Sequence, residues 1–74
     1  MTLKDGKVGE VFIIKDVGAS PLKPRLMSMG LVKGTEVSVL PSAPLGDPMA
    51  IRIRSYNLAL RLEDAEKITV ERVG

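Results

Sequence analysis

Two sets of residues in this chain have types and spacings that could do chemistry. Glu63, Asp64 and Glu66 put three carboxylates into one helical turn, and oxygen donors of this kind hold hard divalent cations. Arg52, Arg54 and Arg61 could share one outer face and form a basic track for nucleic acid. Each set has a simpler reading. Hard-ion sites need several converging oxygens and the EF-hand spacing is absent, so the acids read first as an exposed acidic turn. Phe12 and Tyr56 are the only aromatics, which leaves almost no stacking platform, so the arginines read first as solvated strand residues. The chain contains no histidine and no cysteine, which excludes zinc ribbons, thiolate clusters and imidazole metal sites. Its few serines and threonines fall in turns or strands and no carboxylate pair stands out as acid and base. The sequence therefore predicts a protein that is not an enzyme and uses no cofactor.

The elements that must position these residues are short. Val8 to Val17 reads as a first strand, and its continuous Val11-Phe12-Ile13-Ile14 run implies burial on both sides or a bulge. Leu22, Leu26 and Met29 then recur at helical spacing. Proline is best tolerated in a first turn, so a helix begins near Pro24, or near Pro21 with a distorted first turn, and Gly30 ends it. Gly34 marks the sharp turn into the strictly alternating Thr35–Val39. Met49–Arg54 alternates again with arginines opposite isoleucines, Ser55-Tyr56-Asn57 reads as a turn, and Leu58–Arg61 as a strand. Glu63–Glu66 forms one helical turn before the closing strand Ile68–Val70. About five short strands at close spacing argue for a small barrel, mostly β, with one short helix after the first strand.

The 74 residues make a single domain, 1–74, with a core drawn from aliphatic side chains alone. Hydrophobic residues make up 45% of the chain, enough for a folded protein rather than a disordered tail. No apolar run reaches the length of roughly 18–20 residues that spans a bilayer, and the first residues lack a signal peptide's apolar region, so the chain reads as cytosolic with no direct membrane insertion. A net charge of +2 permits nucleic-acid binding without indicating it.

The loop Ala43-Pro44-Leu45-Gly46-Asp47-Pro48 is longer than an efficient hairpin needs. Its prolines stiffen both ends and hold Leu45 at the tip, a plausible docking element because little entropy remains to be lost on binding. Together with the helix, the loop supplies the residues expected as partner contacts: Arg25, Met29, Leu31, Leu45 and Met49.

Four blocks in order carry a resemblance to a known family. They are Arg25-Leu26-x-x-Met29-Gly30-Leu31-x-x-Gly34-Thr35, then Ala43 to Pro48, then Leu58-Ala59-Leu60-Arg61, and finally Ile68-x-Val70. With them the chain resembles the FeoA family, the small cytosolic component of bacterial ferrous iron transport, along nearly its whole length. The resemblance implies an SH3-like barrel and an accessory role beside FeoB, a membrane permease with a cytosolic GTP-binding domain, by contacting or regulating that domain. It does not imply that the chain binds iron, and it leaves self-association open. The alternatives are a nucleic-acid-binding small barrel, or a metal-sensing SH3-like module related to the C-terminal domain of iron-dependent repressors. One departure from the family is Ser55, where members often carry glycine.

Overall fold

Strands of alternating burial build a single antiparallel sheet in this computed structural model, which describes residues 1–42 and 46–73. The strands are β1 (Val11–Val17), β2 (Glu36–Leu40), β3 (Met49–Ile53), β4 (Tyr56–Leu60) and β5 (Ile68–Arg72), in the order β4-β3-β2-β1-β5. Helix α1 (Lys23–Ser28) lies between β1 and β2, and the single turn α2 (Leu62–Ala65) between β4 and β5. This is the five-stranded barrel with one short helix and a later helical turn that the sequence predicts. A 3-10 turn over Leu3–Asp5, not foreseen from the sequence, buries Leu3 completely.

The inner face follows from the two-residue period of a strand. Val37 and Val39, and then Met49, Ile51 and Ile53, all point into the core. In β1 the alternation places Phe12 and Ile14 inside. The pairing with β5 then slips between Ile14 and Asp16, leaving Lys15 and Asp16 both exposed and returning Val17 to the core. A bulge of this kind turns a charged pair outward without ending the strand. β1 begins at Val11 rather than Val8 because Lys7 to Glu10 forms a turn. There the Glu10 N–H donates to the Lys7 carbonyl at 3.0 Å and the Lys7 N–H to Glu10 Oε1 at 2.8 Å.

Helix α1 opens with Pro24 in its first turn, where a missing N–H costs nothing. Its end is a Schellman closure. The Leu31 N–H donates to the Leu26 carbonyl at 3.0 Å and the Gly30 N–H to the Met27 carbonyl at 3.0 Å, while Gly30 takes φ +99°. Such a closure brings the residue after the glycine against the last turn, and Leu26 and Leu31 are both buried. Leu31, expected as a partner contact, is thus a core residue at 0% exposure. Met49, also expected at the surface, is 4% exposed because it shares the inward register of Ile51 and Ile53.

Strands β3 and β4 are joined by the two residues Arg54 and Ser55, with Ile53 opposite Tyr56. The turn is therefore tighter and one residue earlier than the sequence implied. Arg54, not Ser55, carries the unusual backbone, at φ +55°. A side chain in that region meets its own carbonyl, at a cost of roughly 1–2 kcal/mol that glycine avoids. Arg54→Gly should accordingly raise stability by about 0.5–1 kcal/mol, since glycine gains freedom in the unfolded chain as well. The midpoint of urea unfolding should rise with its slope unchanged. At the opposite end of the barrel, a Cβ on Gly6 would lie 2.8 Å from a Phe12 ring carbon and 3.0 Å from Val39 Cγ2. Gly6→Ala should therefore lose about 1–3 kcal/mol by overpacking, measured in the same unfolding experiment.

Candidate protein-docking groove

The best-framed depression that brings expected contact residues together is a groove of about 430 Å³ between α1, β4 and α2. One wall is α1. Its helical spacing sinks Leu26 into the core, leaves Met29 half-buried and keeps Leu22 and Arg25 exposed. The other wall is the inner face of β4, where Leu58 is half-buried against the core and Leu60 buried. Arg61, Glu63 and Asp64 close the far end. The tie that holds this end is the Leu62 N–H, which donates to Asp47 Oδ1 at 3.2 Å. An acceptor there satisfies a helix-terminal N–H that would otherwise lack a partner.

The charges of the groove differ in their state. Arg61 and Glu63 pair at 3.7 Å with both side chains largely exposed, an arrangement that contributes little. Arg25 has no ion pair among the described residues. Asp64 is only 8% exposed, and its carboxylate has neither a hydrogen bond nor an ion pair among them. Its polar atoms reach solvent through the groove, since no buried side-chain oxygen is left without a partner among the described residues. The groove thus combines apolar walls with a guanidinium on one side and a carboxylate on the other.

The structure brings Arg25 and Met29 to this groove. It places Leu31 and Met49 in the core, and Leu45 lies outside the described residues. The structure does not bring the three acids together. Glu63 meets Arg61, Glu66 meets Lys4 at 3.4 Å, and Asp64 turns inward. Among the described residues no group of three such side chains gathers to hold an ion. Nor do the arginines make one track. Arg52 and Arg54 line a shallow depression with Lys33 and Glu36, and Arg52 Nε donates to Asn57 Oδ1 at 3.1 Å, whereas Arg61 belongs to the groove. Sequence reasoning missed Leu22, Leu58 and Asp64 as groove residues. The uncharged run Tyr56–Leu60 was the available signal, but its position at the edge of the sheet depends on the pairing order.

Among the described residues no helix is long and apolar enough to cross a membrane. A solution structure of the FeoA protein from Chlorobium tepidum superposes with a TM-score of 0.93 at 39% identity, over 100% of this chain and 71% of that one. FeoA from Stenotrophomonas maltophilia, described as a procaryotic SH3 domain protein and solved in complex with zinc, matches with a TM-score of 0.85 at 26% identity. That match covers 96% of this chain and 89% of the other. The barrel is thus SH3-like. A curated relative from Porphyromonas gingivalis, a fusion of Fe(2+) transport protein A with the Fe(2+) transporter FeoB, is 41% identical over 65 residues. These make up 88% of this chain but only 8% of the fusion protein. The FeoA domain model matches residues 1–72, and with these relatives it shows that the chain belongs to the FeoA family of ferrous iron transport proteins.

Proposed function

We propose that this chain is a non-enzymatic, cytoplasmic accessory protein of bacterial ferrous iron uptake. It docks on a FeoB-type permease through that protein's cytosolic GTP-binding domain and regulates or assembles it. The observation that carries this reading is the relative in which a domain 41% identical to this chain is continuous with a FeoB transporter. Fusion of two activities in one chain favours partners that work in contact, because the linker raises their effective concentration. The groove supports the same reading, since it offers apolar area at Leu22, Met29 and Leu58 beside Arg25, which has no ion pair among the described residues.

The test is titration of the intact protein against a detergent-solubilised FeoB-type transporter, followed by isothermal calorimetry and by the rate of GTP hydrolysis. The unaltered protein should bind. Arg25→Glu combined with Met29→Ala should weaken binding about tenfold or more while the unfolding midpoint stays near that of Met29→Ala alone. Leu45→Asp should weaken it as well. Unchanged binding in all these variants would remove helix and loop from the contact. A transporter that ignores the protein altogether would sink the proposed function.

A further inference from the structure

The two edges of the sheet are treated differently. Along β5 the N-terminal segment adds a partial extra strand, with Thr2 bridged to Thr69 and the Val70 N–H donating to the Met1 carbonyl at 3.0 Å. The same strand carries Glu71 and Arg72, which pair with Lys15 at 3.3 Å and with Glu10 at 2.8 Å. Covering and charging are the usual protections of an edge. Among the described residues the other edge, β4, has neither. Its residues Tyr56-Asn57-Leu58-Ala59-Leu60 include no charge and no proline.

The direction of its free backbone groups follows from the ladder. Ile53 and Tyr56 close a two-residue hairpin and exchange hydrogen bonds, so bonded pairs recur at Ile51–Leu58 and Met49–Leu60. The N–H and C=O groups of Asn57 and Ala59 therefore point away from β3, and both residues are exposed. A strand laid along this edge would turn alternate side chains toward the inner face of β4. That face, at Leu58, is a wall of the groove already described. The groove and the open edge are one opening, seen from the side chains and from the backbone. At its far end stands Asp64, buried and without a partner among the described residues.

We infer that this opening takes an extended segment of the FeoB-type partner as an added strand on β4, with an aliphatic side chain in the groove and a lysine or arginine meeting Asp64. The inference rests on the proposed function and names its mode of contact. Backbone bonds at Asn57 and Ala59 supply the alignment, and the side-chain pocket supplies the selection, as in strand-addition modules generally. The charge follows from complementarity. The Asp64 carboxylate opens into the groove with no partner of its own among the described residues, so a cation that brings its own hydrogen-bond donors complements it.

Hydrogen exchange of the intact protein, with and without the solubilised transporter, tests this directly. Within residues 56–60, the amides of Asn57 and Ala59 should exchange at least about tenfold more slowly in the complex, because their outward N–H groups become bonded. Ala59→Pro removes one of those donors without breaking a bond to β3, as proline at an edge does, and should weaken binding about tenfold or more. Asp64→Asn, similar in shape, should weaken it too, whereas Lys33→Ser, exposed and away from both groove and edge, should not. Should Ala59→Pro fail to fold, the exchange pattern and Asp64→Asn decide. Binding without slower exchange at 56–60 would overturn the strand addition and leave the proposed function standing. Absence of any binding would overturn both. Slower exchange at 56–60 in the protein alone, growing with its concentration, would assign the edge to a second copy and overturn the transporter segment as its occupant.

Discussion

The closure of α1 on Leu31 is the interaction on which most of the molecule's useful geometry depends. Two hydrogen bonds, from Leu31 to Leu26 and from Gly30 to Met27, end the helix and reverse the chain within a few residues. The same reversal packs Leu26 and Leu31 into the core, so the helix is fastened by burial as well as by its cap. With α1 fixed there, Leu22, Arg25 and Met29 become a wall facing β4. A Cβ on Gly30 would come within 3.4 Å of the Tyr56 hydroxyl, so the first residue of β4 already lies close to the helix end. A helix of six residues has little stability of its own and depends on this docking.

The fold was legible in the sequence because its signals are local. Alternation over Thr35–Val39 and Met49–Arg54 points to the strands found at Glu36–Leu40 and Met49–Ile53, while Pro24 and Gly30 mark the two ends of the helix. The 3-10 turn at Leu3–Asp5 was not legible, because its reason is the distant core position that Leu3 fills and the close approach of Gly6 to Phe12. The position of the hairpin turn also escaped. Ser55 drew notice as a missing glycine, yet the positive φ falls on Arg54, a residue type that gives no warning of it.

The candidate site was half legible for a physical reason. Helical spacing groups Met29 with Leu22 and Leu26, and strand alternation, applied consistently, places Met49 inside with Ile51 and Ile53. Leu31 was misread because a residue just past a helix-ending glycine looks like a loop residue, whereas the Schellman closure folds it back onto the helix. Asp64 looked like one of three surface acids. Its burial comes from the orientation of α2 against the barrel, which Asp47 secures through the Leu62 N–H across a loop. No window of sequence contains that relation.

The unprotected β4 edge has a cost that sharpens the reading of its role. An edge strand without charge, proline or cover is open to pairing with any extended chain, including another copy of itself. Yet the same small barrel covers β5 with its own N-terminus and sets two ion pairs along it, so the chemistry of edge protection is available in this chain and is used on one side only. Shortness limits the hazard, since in five residues the ladder points both backbone groups outward at Asn57 and Ala59 alone. A contact of so few bonds is weak by itself. Covalent fusion, as in the Porphyromonas gingivalis relative, would make it sufficient, because a short tether supplies an effective concentration of about millimolar. For a separate chain a contact of this kind would respond to how much of the protein is present.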